Sequence, residues 1–195
     1  MKNYIITIGR EFGSGGKEIA QKLAERLGIK YYDKDLVTIA ARKRGISEEV
    51  VADAEENIPS IWDSNAVGLP IFQDRLFQVQ SNIILDIAEK EAPCIIVGRC
   101  ADYVLRDFPN VLNVFVHADK EFRIHRIMDT ESLSYPEAKS RVKKTDKTRR
   151  AYYQFYTDRK WGTGIQYDML LSSSTLGLDV CVDILYAAVQ AYANK

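Results

Sequence analysis

The sequence predicts a single α/β domain in which a parallel sheet is covered by helices on both faces. Short runs rich in β-branched residues, at 4–8, 94–97 and 111–116, alternate along the chain with helical segments. These runs are continuously apolar, which is typical of strands buried on both faces of a parallel sheet. The length of 195 residues, 46% of them hydrophobic, suits one domain with its own core.

The first elements have clear boundaries. Residues 4–8 are strongly β-prone and end at Gly9. Residues 15–27 form a helix that stops at Gly28, because glycine adopts the left-handed conformation of a helix C-terminus without strain. A short strand is expected at 30–32.

The stretch 34–92 interrupts this alternation. It has the pattern of two or three helices without a strand, which is far more than one crossover helix requires. Its last helix, at 70–92, repeats apolar residues at helical spacing and meets Pro93, whereas 57–69 is the most loop-like segment. We therefore expect a functional helical insertion here.

The alternation resumes in the second half of the chain. Asp119 is placed to cap one helix, and Ser134 and Glu137 have the spacing of a capping box, with Pro136 in the first turn of the next. The predicted elements of this half are strands at 94–97, 111–116 and 167–171 and helices at 120–129, from 134 onward and at 178–193.

Composition excludes some classes of function. The 27 Lys and Arg balance 27 Asp and Glu, which argues against a general nucleic-acid binder, although the basic residues are concentrated at 141–150. The run at 4–8 is too short for a signal peptide, and no stretch approaches the roughly 20 apolar residues that span a bilayer. Three cysteines cannot all pair within the chain, so we expect buried thiols and a cytoplasmic protein without membrane partners.

The strongest local feature is the glycine-rich segment 9–18, between the first strand and the first helix. Such a loop brings backbone N–H groups and the helix dipole to a phosphate, although a tight turn without a ligand is the alternative. Neither standard pattern is complete. The dinucleotide pattern has Glu18 at its third glycine, and the P-loop pattern has Glu11 and Glu18 at its first and last positions.

The sequence resembles the cytidylate kinase-like family of nucleoside monophosphate kinases in five segments. These are the glycine-rich loop, Tyr31-Tyr32-Asp33, Gly98-Arg99 after the third strand, Arg123-Ile124-His125-Arg126 after the fourth, and Asp146 to Arg150. The resemblance runs nearly end to end. It implies a three-layer P-loop fold with a five-stranded parallel sheet. It also implies transfer of the γ-phosphoryl group of ATP to a small phosphorylated acceptor, CMP or dCMP first, with Mg²⁺. A single domain over 1–195 would comprise a core (1–33, 93–133 and 161–195), a helical monophosphate-binding insertion (34–92) and a basic lid (134–160).

The resemblance also implies three groups of site residues. Those for ATP and its phosphates are Gly13, Ser14, Gly15, Gly16, Lys17, Glu18 and Arg126. Those for the acceptor are Asp33, Arg99 and Asp146, and the catalytic ones are Lys17, Arg149 and Arg150. The alternatives are a surface ion pair for Arg99, a structural ion pair for Arg126, a helix N-cap for Asp33 and a solvated helix face for the basic lid.

Two departures from the family pattern stand out. A gapless match places Gly16 at the P-loop lysine, Lys17 one position late and Glu18 at the magnesium-binding hydroxyl. Cys100 follows Arg99 where the better-known cytidylate kinases have Asp. Three alternatives follow: a kinase with an altered magnesium shell, a kinase for another acceptor, or a nucleotide-binding protein without catalysis. The metal ligands and the oligomeric state are not predicted.

Overall fold

A computed structural model describes residues 3–33 and 69–193, with side chains from Phe77 onward in the second range. Its strands are β1 Ile5–Arg10, β2 Lys30–Tyr32, β3 Cys94–Val97, β4 Val111–His117 and β5 Met169–Ser172. Its α-helices are α1 Gly16–Leu27, α2 Leu69–Lys90, α3 Ala101–Val104, α4 Lys120–Glu131, α5 Tyr135–Thr157, α6 Ser173–Leu176 and α7 Leu178–Ala193. The five strands form one parallel sheet, as predicted, and their order is β2-β3-β1-β4-β5.

Helices cover both faces of this sheet. Because successive residues of a strand point to opposite faces, β1 contributes to two separate cores. Ile6 and Ile8 pack with Leu23 of α1 and Leu185 of α7. Ile5 packs on the other face, in the core formed with α2 and α3. The predicted three-layer α/β architecture is therefore confirmed.

The segment predicted as a lid contains one long helix, α5. The predicted capping box is present, since the Ser134 backbone N–H donates to the Glu137 carboxylate at 2.9 Å. The helix is held against α4 through a small apolar cluster that includes Ile124 and Val142. Lid movement stays a prediction. Residues 34–68 of the expected insertion lie outside the described residues, so its monophosphate-binding role also stays a prediction.

The fifth strand begins later than predicted. A 3₁₀ turn, Gly164–Gln166, precedes it, and Tyr167 is buried against the ring of Phe115 instead of starting the strand. The three cysteine thiols are free and buried, as expected. Across the two described ranges, no helix is both long enough and apolar enough to cross a bilayer.

Candidate functional site

The glycine-rich loop forms a closed turn between β1 and α1. The Glu11 carbonyl accepts hydrogen bonds from the Ser14 backbone N–H at 3.3 Å and from the Ser14 hydroxyl at 2.9 Å. Gly13 and Gly15 have φ angles of 82° and 78°, in the left-handed region that glycine favours. The turn ends where α1 begins, so the positive end of the helix dipole faces the loop.

A buried ion pair between α4 and α5 holds the loop in place. The backbone N–H of Phe12 donates to Asp146 at 2.8 Å, while the guanidinium of Arg123 pairs with the same carboxylate and donates to the Phe12 carbonyl at 3.2 Å. Arg123 also lies 3.3 Å from the Glu11 carboxylate. Asp146 thus joins α5 to the loop, and its role in acceptor binding stays a prediction. Arg123 was not among the predicted site residues, because the motif contains two arginines and the sequence does not show which of them faces the loop.

Replacing Asp146 with asparagine should lower the free energy of unfolding by about 2 kcal/mol. The variant leaves the buried Arg123 cation without its carboxylate but retains an oxygen for the Phe12 N–H. Urea denaturation followed by circular dichroism would measure the change. The control is Glu131→Gln, which breaks the more exposed pair with Arg141 and should cost less than about 1 kcal/mol. Equal losses in the two variants would contradict the anchoring role.

Four predicted site residues pair with one another at the start of α1. The ammonium of Lys17 lies 2.5 Å from the carboxylate of Asp33, whose side chain is buried after β2. Lys17 thus points toward the predicted acceptor side. Glu18 pairs with Arg126 and lies 3.2 Å from Lys22, one helical turn away. Burial acts to raise the pKa of Glu18, but these hydrogen bonds outweigh it and the pKa is lowered.

Three arginines converge beside the loop, at the carboxyl ends of β1 and β3. Arg10 ends β1, Arg99 lies in the tight turn after β3, and Arg149 comes from α5. A guanidinium N–H of Arg149 donates to the carbonyl of Arg10 at 3.2 Å. Among the side chains of residues 3–33 and 77–193, none of these guanidinium groups forms an ion pair.

The charges in this cluster act on one another. Burial, then the neighbouring charges of Arg149 and Arg99, lower the pKa of Arg10 to about 9, against the opposing effect of Asp33. Burial likewise lowers the pKa of Arg149, against the opposing effect of Asp146 and with Arg99 adding to the lowering. The cluster therefore concentrates positive charge at the edge where open α/β sheets bind ligands.

A cavity of about 670 Å³ opens over this cluster. Arg10, Arg99 and Arg149 line it, together with one face of α5, whereas Lys17 and the loop residues 13–16 do not. Arg150 is exposed and does not line the cavity, although its guanidinium lies 6.0 Å over the ring of Trp161, which does. Arg10 was not among the predicted site residues; glycine at the lysine position is the signal in the sequence that another residue could supply the cation.

The residues near the loop do not fit a protein-held magnesium ion. Glu18, which stands at the hydroxyl position, is paired with Arg126, and the Ser14 hydroxyl is bonded to the Glu11 carbonyl. In the described part of the chain, no group of three His, Cys, Asp or Glu residues could hold a metal.

Known proteins resemble the chain along nearly its whole length. A sequence profile of the cytidylate kinase-like family matches residues 5–175. A cytidylate kinase of Archaeoglobus fulgidus is 28% identical over 193 residues, or 97% of each chain. An uncharacterised protein of Eubacterium ventriosum has a crystal structure with a TM-score of 0.74 and 34% identity, over 96% of this chain and 98% of that one.

A more distant neighbour agrees on the fold. Shikimate kinase of Bacteroides thetaiotaomicron has a TM-score of 0.55 at 12% identity, over 97% of this chain and 99% of that one. Its identity is low enough that it speaks for the P-loop kinase fold alone. Together with a profile that covers most of the chain, these similarities establish that the protein belongs to the cytidylate kinase-like family and is a phosphotransferase.

Proposed function

We propose that the protein transfers the γ-phosphoryl group of ATP to a nucleoside monophosphate, with CMP or dCMP as the first acceptor to test. One observation carries the proposal: three guanidinium groups without ion-pair partners among the described residues stand beside a phosphate-type loop. The name of the relative in Archaeoglobus fulgidus supports a cytidine nucleotide as acceptor.

The reaction needs positioning and charge neutralisation more than covalent chemistry, because two anionic substrates must meet in line. The loop and the amino end of α1 would hold the donor phosphates. Arg99, in the turn after β3, would bind the acceptor phosphate with two parallel N–H bonds. Arg149 would approach the transferred group from α5, and the substrates would replace water in the cavity above it.

A coupled assay of ADP formation tests the proposal. The panel comprises CMP, dCMP, UMP, AMP, GMP and shikimate, each with ATP and Mg²⁺, and a reaction without acceptor measures plain hydrolysis. We expect acceptor-dependent turnover with a pyrimidine monophosphate. Tight ATP binding in calorimetry without turnover on any nucleoside monophosphate would contradict the proposal.

The variant Arg99→Ala should raise the KM of the acceptor by about tenfold or more while the KM of ATP changes little. Loss of a bidentate phosphate contact weakens one substrate selectively. Arg106→Ala is the matched control, because Arg106 is an exposed arginine beyond α3, paired with Asp107. If Arg99→Ala changes the KM of the acceptor no more than Arg106→Ala does, Arg99 does not bind the acceptor.

A further inference from the structure

Gly16 occupies the place of the P-loop lysine, and the side chain of Arg10 fills the space above it. A Cβ atom at Gly16 would lie 2.6 Å from Cβ and 3.1 Å from Cγ of Arg10. Both distances are shorter than ordinary van der Waals contact, so a side chain at this position would collide with the arginine. The loop thus lacks its lysine at the point where the aliphatic stem of a neighbouring arginine crosses it.

Gly98 clears the space at the other end of the same side chain. A Cβ atom there would lie 1.9 Å from Nη1 and 3.1 Å from Cζ of Arg10. Gly98 also has a φ of 77°, and its N–H donates to the carbonyl of Ile8 at 3.0 Å, which fixes the turn against β1. Gly16 and Gly98, which are 82 positions apart in the sequence, therefore both leave room for the side chain of Arg10.

We propose that Arg10 takes over the task of the missing loop lysine and binds the phosphoryl group during its transfer. Its stem crosses the start of α1 and its guanidinium lies against Gly98, next to Arg99, so it bridges the donor and acceptor sides. The inference rests on the proposed function. It adds a catalytic residue outside the positions where the family pattern places a cation.

The reaction balances without proton transfer by Arg10. An oxygen of the acceptor phosphate forms the new bond to the γ-phosphorus of ATP. The bond from that phosphorus to the bridging oxygen breaks, and its electron pair leaves with ADP. Arg10 stays protonated and neutralises charge on the equatorial oxygens, as a lysine or an arginine finger does.

Electrostatics favour an anion at this position. Burial and two neighbouring guanidinium groups make the Arg10 cation costly, as its lowered pKa shows, although it remains charged at neutral pH. A bound phosphoryl group would offset that cost and bring together three like charges. Lys17, by contrast, lies 2.5 Å from Asp33.

The first test compares Arg10→Gln with Arg10→Lys. Glutamine retains hydrogen-bonding capacity without charge, and lysine retains the charge. We expect kcat to fall by about tenfold or more in Arg10→Gln and to recover substantially in Arg10→Lys. Thermal denaturation would confirm that both proteins are folded. Equal kcat values for a folded Arg10→Gln and the wild type would overturn the inference.

The second test moves the cation back to the usual position. Gly16→Lys alone should impair the enzyme, because the new side chain meets Arg10. Arg10→Gly combined with Gly16→Lys removes the two arginine atoms and leaves only the tight approach of 3.3 Å to Cβ of Val116, so it should have a kcat about tenfold above that of Arg10→Gly alone. If the folded double variant has no higher kcat than Arg10→Gly, the proposal that Arg10 replaces the loop lysine is overturned. If the double variant does not fold, the glutamine and lysine pair decides.

Calorimetry with ATP separates this inference from the proposed function. Weaker ATP binding by Arg10→Gln than by Arg10→Lys supports a phosphate contact even if no monophosphate is phosphorylated, in which case the proposed acceptor class alone fails. A wild type that phosphorylates CMP, with a folded Arg10→Gln variant unchanged in kcat and in ATP affinity, overturns the role of Arg10 alone.

Discussion

Replacing Gly13 with alanine should lower the free energy of unfolding by about 3–5 kcal/mol, through collision and backbone strain together. A Cβ atom at Gly13 would lie 2.7 Å from the carbonyl oxygen of Arg123 and 3.2 Å from its carbonyl carbon. Gly13 also has a φ of 82°, which an alanine adopts only with strain. Because Arg123 lies in the first part of α4, its carbonyl cannot turn aside without disturbing that helix.

Gly28→Ala is the matched control for this prediction. Gly28 has a similar φ of 67°, but a Cβ atom there would meet nothing within 4 Å. Its replacement should therefore cost only the left-handed strain, about 1–2 kcal/mol. Urea denaturation of both variants would measure the difference, which isolates the contact between the loop and α4. Equal losses would mean that the loop gives way easily and is not fixed by its neighbours.

Most of the fold follows from local signals in the sequence. Gly28 ends α1 and the Ser134–Glu137 box starts α5 through contacts within a few residues of each other, so their effect is readable from spacing alone. The order of the strands was not predicted, since pairings such as Ile8 with Val97 join residues far apart in the chain. The late start of β5 depends on burial of Tyr167 against Phe115, which no local pattern indicates.

The site was less predictable than the fold because it depends on contacts between residues that are far apart in the chain. The glycine loop is visible in the sequence, but the identity of its cation is not. Lys17 is the predicted phosphate-binding cation because it follows Gly16, yet its side chain lies beside Asp33. The position of Arg10 depends on Gly16 and Gly98, which come together only when β1 pairs with β3. The absence of a side chain at Gly16 indicates a role for Arg10 only once the structure shows that the two residues are neighbours.

The second large effect concerns two adjacent arginines of α5, both predicted to be catalytic. Arg149→Ala should lower kcat by about 10²–10³-fold, the usual cost of removing a preorganised charge from a transferring group. Arg150→Ala should lower it by no more than about tenfold, because an exposed charge is screened by water and salt. Arg149 lines the cavity and donates to the carbonyl of Arg10, whereas Arg150 is exposed over Trp161 at the cavity wall and does not itself line the cavity.

Stability measurements distinguish this catalytic effect from a folding defect. Burial lowers the pKa of Arg149 and outweighs the opposing attraction of Asp146, and the like charge of Arg99 adds to the lowering, so the folded protein gains little from holding this cation. Arg149→Ala should therefore unfold at the same temperature as the wild type or slightly above it, even as turnover falls, which is the usual trade between activity and stability at an active site. A fall in both turnover and melting temperature would indicate that Arg149 supports the loop through Arg10 instead of acting on the substrate.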